Sequence, residues 1–78
     1  MKATKNLKLH AVIAYSDDTG REVSRDLFAT YRGAKRYALA EVARMETLRE
    51  FIEAVEKDFW RTNYGTMVVR PVNIKVHP

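Results

Sequence analysis

The sequence contains no cysteine. That excludes disulfides and thiolate-held metal, and makes the cytosol the natural compartment. Glycine is scarce, with three residues that are never clustered, so there is no glycine-rich loop to cradle a phosphate. The two histidines, His10 and His77, have no acid or thiol clustered in sequence beside them, a poor set for zinc. Asp17-Asp18 offers two adjacent carboxylates without the further oxygen ligands at fixed spacing that a calcium loop needs. No Ser-His-Asp or Cys-His arrangement is present, and no acid and base stand out as a pair. These absences argue against catalysis and imply neither a cofactor nor a bound metal. No apolar run approaches the ~20 residues of a membrane span. The opening MKATKNLKLH lacks the apolar core of a secretory signal.

What is there is one small domain's worth of chain, 78 residues with a net charge of +4. A chain of this size buries only ~60% of its unfolded surface, so the core is modest. The positive charge favours polyanionic partners weakly.

Residues 1–6 read as a loose polar tail. Leu7, Leu9, Ala11, Ile13 and Tyr15 then alternate with Lys8, His10, Val12 and Ala14, the period of a strand. Ser16-Asp17-Asp18-Thr19-Gly20 is a turn, since Ser and Asp bond their own backbone and Gly20 tolerates positive φ. Val23 and Leu27 continue on a second strand, giving a β-hairpin over residues 7–29.

Residues 30–60 hold no proline, and their only glycine is Gly33. Counted at 100° per residue, Ala34, Ala38, Met45, Leu48, Ile52, Val55 and Phe59 share one side, with Tyr37 and Val42 at the flanks. This is the apolar stripe of an amphipathic helix. Thr30 suits its N-cap. Thr47-x-x-Glu50 also fits a capping box, so the segment is one long helix, bent or straight, or two helices broken near Glu46. Asn63 or Gly65 suits the left-handed residue that ends it. A third strand follows over residues 66–77, with a bulge or sheet edge at Arg70-Pro71, because Pro71 has no N–H to donate. The expected fold is α+β: a two-layer ββαβ domain with a three-stranded, mainly antiparallel sheet and one helix on one face.

Charge is distributed unevenly along the predicted helix. Residues 31–45 carry Arg32, Lys35, Arg36 and Arg44 against Glu41; residues 46–60 carry Glu46, Glu50, Glu53, Glu56 and Asp58 against Arg49 and Lys57. The helix dipole prefers the reverse order, at ~0.3–1 kcal/mol per misplaced end charge. On the wheel Arg32, Lys35 and Arg36 surround an outward Leu39. A solvent-facing leucine ringed by cations suits a protein contact or a phosphate-rich groove, and these four residues form the expected partner site. The sheet face away from the helix is expected to expose a secondary basic set, Lys8, Arg25 and Lys75, with His10 and His77. It lacks the paired aromatics on which single-stranded nucleic acid stacks.

Ala34-Lys35-Arg36-Tyr37-Ala38-Leu39-Ala40-Glu41 resembles the AKRxAxxE start of the helix in a small phage-encoded anti-CRISPR protein of the type I-F class, and a strand, turn and strand precede it there too. Beyond Met45 the chain departs from that pattern. The resemblance implies a non-enzymatic inhibitor that binds a crRNA-guided surveillance complex in the host cytosol and blocks target DNA. On that reading Lys35 and Arg36 are binding residues; Arg32 joins them by helix geometry. Two other readings stand beside it. One is a basic nucleic-acid-binding module using Arg32, Lys35, Arg36 and sheet lysines. The other is a homodimer in which the basic half of one helix lies antiparallel to the acidic half of another.

Overall fold

The computed structural model describes residues 5–76; residues 1–4 and 77–78, His77 among them, lie outside these. Six elements follow in order: β1 (Lys5–Ser16), β2 (Glu22–Phe28), α1 (Tyr31–Thr47), β3 (Phe51–Glu56), β4 (Phe59–Thr62) and β5 (Gly65–Val76). The strands form one five-stranded sheet in the order β2-β1-β5-β4-β3, antiparallel at every pairing. The fold is α+β, but the sheet has five strands rather than the expected three. Residues 51–62, expected to be helix, are a β-hairpin at the sheet edge.

The helix starts where its cap predicts: Thr30 is extended (φ −128°, ψ 152°) and its hydroxyl accepts from the Gly33 N–H at 3.0 Å. It ends early, after 17 residues. The Arg49 N–H donates to Glu46 O at 3.1 Å and the Glu50 N–H to Met45 O at 2.7 Å, with Arg49 left-handed at φ 60°. This is a Schellman stop. Its left-handed position usually holds glycine; an arginine there leaves no mark in the sequence. Thr47 does not cap a second helix; its hydroxyl donates to Ala43 O at 3.1 Å.

Tertiary pairing decides residues 51–62. Phe51, Ile52, Val55, Phe59, Trp60 and Thr62 have strand-favouring side chains, and the β5 edge gives β4 a ladder, Phe59↔Val68 to Thr62↔Gly65. Trp60 then buries against the helix with Val12, Ala34, Ala38, Val42, Met67 and Val69. Alanine at positions 34 and 38 lets the helix lie close on the sheet, and both are fully buried. Leu48, Ile52 and Val55, expected in the core stripe, are exposed. Leu48 caps the helix, and the other two sit on an edge strand whose register shifts at each of them.

β1 and β5 pair without interruption from Lys5↔Val76 to Ser16↔Gly65, and no bulge occurs at Pro71. β4 reaches only as far as Val68, so β5 is an open edge on that side at Pro71, a position that tolerates the missing N–H. Beyond His10↔Phe28 and Phe59↔Val68 the β1–β5 pair therefore continues as a two-stranded arm. The molecule measures 53 × 28 × 19 Å. Gly65, expected past a helix end, instead starts β5: at φ 149°, an added Cβ would lie 1.9 Å from Tyr15 O.

Candidate functional site: a basic groove on the helix

The first half of α1 turns Tyr31, Arg32, Lys35, Arg36 and Leu39 towards one shallow, open groove. All four residues expected as a partner site meet there. Ala34, Ala38 and Val42 at i, i+4, i+8 face the sheet and set the rotation of the helix. Leu39 is 48% exposed, and Arg32 and Arg36 are exposed and in no ion pair among the described residues. The first turn of α1 has no acidic residue to complement the dipole.

Lys35 differs from the two arginines. Its ammonium donates to the Asp58 carboxylate and lies 5.1 Å from the centre of the Trp60 ring. The Tyr31 phenol donates to both Asp58 oxygens, at 3.0 and 2.9 Å. Burial by itself would raise the Asp58 carboxyl, but the hydrogen bonds from Lys35 and Tyr31 and the Lys35 charge outweigh it and hold the group below its usual range. The Asp58 hydrogen bond correspondingly raises Lys35 and Tyr31. Lys57, beside Asp58 on the turn, places its ammonium 5.8 Å from the Tyr31 ring centre. Asp58, Trp60 and Lys57 are absent from the sequence-based site, since a helix over 30–60 carries them away from Tyr31. Only the hairpin returns them.

The secondary basic set divides between two faces. In β1, Asn6, Lys8 and His10 share the parity of Val12, which faces the helix; their partners Lys75, Asn73 and Pro71 do likewise. Lys8 and Lys75 therefore lie on the helix side of the arm rather than the far side. Arg25, opposite Ile13, is on the far face, and its guanidinium is held by Glu22 at 2.8 Å. His10 packs edge-on against Tyr31, ring centres 5.9 Å apart, which ties the start of the helix to the root of the arm. Lys8 is the next residue out on that face, about 7 Å farther along the strand.

The charge asymmetry expected along one helix is divided by the fold, since Glu53 and Glu56 lie on the edge strand β3 and Asp58 on the turn after it. Arg32, Lys35, Arg36 and Lys57 gather round the groove with Asp58, and Lys8 and Lys75 lie farther out on the arm. At the other end a second hollow is lined by Tyr15, Asp17, Asp18, Met45 and Tyr64 among others. There the Tyr64 hydroxyl donates to the Glu50 carboxylate, which raises the phenol. Among the described residues no three His, Asp or Glu side chains converge as a metal site would require, and no helix is long and apolar enough to cross a membrane. The chain matches no family model, no curated protein and no solved structure.

Proposed function

We propose that this chain is a small non-enzymatic binding protein, of phage or mobile-element type, that docks on a host macromolecular complex through the α1 groove and inhibits it. In its sharpest form it is an anti-CRISPR-like inhibitor that stops a crRNA-guided surveillance complex from binding target DNA. The observation that carries this reading is the pair of exposed arginines without acidic partners, Arg32 and Arg36, flanking an exposed Leu39. Neither the dipole nor any salt bridge among the described residues rewards these charges, and a leucine set among cations suits a partner with an apolar pit in an acidic or phosphate-rich surround. The similarity of residues 34–41 to the type I-F inhibitor helix supports the same surface. Lys35 acts here chiefly by fixing the groove, through Asp58 and Trp60.

The test is binding to a purified type I-F surveillance complex on a sensor surface, followed by target-DNA binding by that complex. The wild-type chain binds and suppresses DNA binding. Arg32→Glu with Arg36→Glu abolishes both without lowering the thermal melt, since acids at a helix start suit the dipole. Retained binding removes the groove from the reading; no binding by the wild type ends the anti-CRISPR form.

A second reading, a nucleic-acid-binding module, is favoured by Lys8 and Lys75 standing with Asn6 and Asn73 on the helix-side face of the arm, at the same end as Arg32. A two-stranded ribbon fits the major groove of DNA, and asparagine and lysine are base- and phosphate-contacting residues. Its affinity for duplex DNA falls steeply with salt, and Lys8→Gln with Lys75→Gln flattens that slope. A salt-independent affinity excludes it.

A further inference from the structure

The end of the sheet away from the arm holds a feature that the helix groove does not use. A hollow of about 460 Å³ lies where the last turns of α1 meet the β1–β2 and β4–β5 turns. Ala14, Met45 and Met67 form its apolar side. Ala14 stands opposite Met67 in the β1–β5 register, on the face that carries Val12 and the helix. An alanine there offers only a methyl group, which leaves room near the helix end. Met67 is buried and Met45 half-buried. Methionine is flexible and polarisable, so walls built from it adapt to an inserted group.

The other side is polar, and its hydrogen bonding is largely spent within the chain. The Ser16 hydroxyl accepts from the Asp18 N–H at 3.2 Å, and the Thr19 hydroxyl from the Arg21 N–H at 3.2 Å. The Thr62 hydroxyl donates to Gly65 O at 3.4 Å and accepts from the Tyr64 N–H at 3.1 Å. The Asp17 N–H donates to Tyr64 O at 2.8 Å, which joins the two turns. What remains are the carboxylates of Asp17 and Asp18. The sequence alone credits these aspartates with building the turn, but the hydroxyls of Ser16 and Thr19 do that. Neither carboxylate has a hydrogen bond or ion pair among the described residues. They are also the only charged side chains among the described residues that line the hollow. Arg44 and Arg61, on the neighbouring elements, are held by Glu41 and Glu53, at 2.9 and 3.2 Å. Arg21 and Arg49 are exposed and do not line it.

We propose that this hollow binds a small organic cation, an amine carried on a compact apolar group. Its ammonium sits at Asp17 and Asp18, and its apolar part between Met45 and Met67. Size fits: small-molecule sites run to ~300–1,000 Å³, and this one has room for on the order of fifteen water-sized groups. Composition fits: apolar walls give contact, and a few polar groups fix orientation. Sign decides the class. An anion meets two carboxylates with no lining cation to offset them, whereas an ammonium forms charge-assisted hydrogen bonds to both. The chain's net charge of +4 opposes a cation only at long range, where salt screens it beyond ~8 Å. The inference does not rest on what the helix groove binds.

Titration of the isotope-labelled full chain with tryptamine, followed by its amide NMR shifts, tests it. The probe is a primary amine on an indole; 3-indolepropionate is its acidic counterpart. Tryptamine shifts the amides of Asp17, Asp18, Met45, Tyr64 and Met67 saturably, with a Kd of about 1 mM or tighter. At the same concentrations 3-indolepropionate leaves them in place. Asp17→Asn with Asp18→Asn raises the Kd at least about threefold, the size of losing two exposed ion pairs. Both positions are exposed and their side chains make no bond, so the variant keeps the fold. Leu39→Lys in the helix groove leaves the Kd unchanged. The proposal is overturned if tryptamine gives no saturable shifts up to about 10 mM, or if 3-indolepropionate binds as well. An unchanged Kd in the double variant also overturns it, as do shifts confined to Tyr31, Lys35 and Leu39.

Discussion

Lys35 on the second turn of the helix and Asp58 on the β3–β4 turn form an ion pair across 23 residues of sequence, with only 28% and 15% of their side chains exposed. The Tyr31 hydroxyl completes the node. It joins the start of the helix to the edge hairpin, and it holds one wall of the basic groove.

Acid should loosen this node. The Asp58 carboxyl titrates below its unfolded value of about 3.9, so its contribution is present above that pH and is lost as pH falls through the lower folded value. Lys35 titrates above about 10.4, so its contribution is full below that pH and lost as pH rises through the higher folded value. Urea midpoints should therefore fall at both extremes. Asp58→Asn, which keeps the left-handed backbone at φ 60° tolerable, should cost on the order of 1–3 kcal/mol at neutral pH and remove this pair's share of the acid-side dependence. An unchanged acid limb in the variant would contradict the pairing.

Gly65 should be nearly irreplaceable. Gly65→Ala drives a methyl into Tyr15 O at a backbone angle hostile to L-residues. A loss on the order of 3 kcal/mol or more is expected from the strain and the displaced β1–β5 ladder. Gly20→Ala is the control: its φ is 69°, but nothing lies within 4 Å of the added carbon, and it should cost only about 1 kcal/mol. Denaturant titration of both variants separates the clash from the torsion.

The helix stop can be improved. Arg49 occupies the left-handed position of the Schellman turn at φ 60°, where glycine is free of the side-chain penalty. Arg49→Gly should stabilise the fold by about 0.5–1 kcal/mol, read as a higher urea midpoint at constant slope. A helix running on through residue 49 would instead be destabilised by this change.

The alanine contact should be intolerant of bulk. Ala38 is fully buried between α1 and the sheet. Ala38→Leu should cost about 1–3 kcal/mol by forcing the helix off the strands. Ala43→Leu, on the exposed side of the same helix, should be close to neutral. Equal effects at the two positions would refute the packing described.

Signals that act over a few residues were readable. The Ser16–Gly20 turn, the alternation in β1, the Thr30 cap and the Ala34/Ala38/Val42 face each depend on near neighbours, and each has its counterpart in the structure. Residues 46–60 misled because their apolar spacing suits either period. Leu48, Ile52, Val55 and Phe59 fall on one helical face as readily as they populate a bulged hairpin, and neither glycine nor proline marks the break. The groove was legible for the same reason as the helix start: Arg32, Lys35, Arg36 and Leu39 are all within two turns of the cap. The role of Lys35 was not, because its partner Asp58 is distant in sequence.

The residues alone thus determined the α+β class, the first hairpin, the start and rotation of the helix and the cationic surface it presents, all consequences of local torsion, capping and periodicity. Tertiary structure decided the rest. The open edge of β5 offered backbone hydrogen bonds and a burial site for Trp60 that a longer helix could not match. That competition ended the helix at Thr47, made the sheet five strands wide and moved Asp58 beside Lys35. The long β1–β5 register then placed Lys8 and Lys75 on the helix side, and Leu7, Leu9, Val72 and Ile74 together with Arg70 on the other.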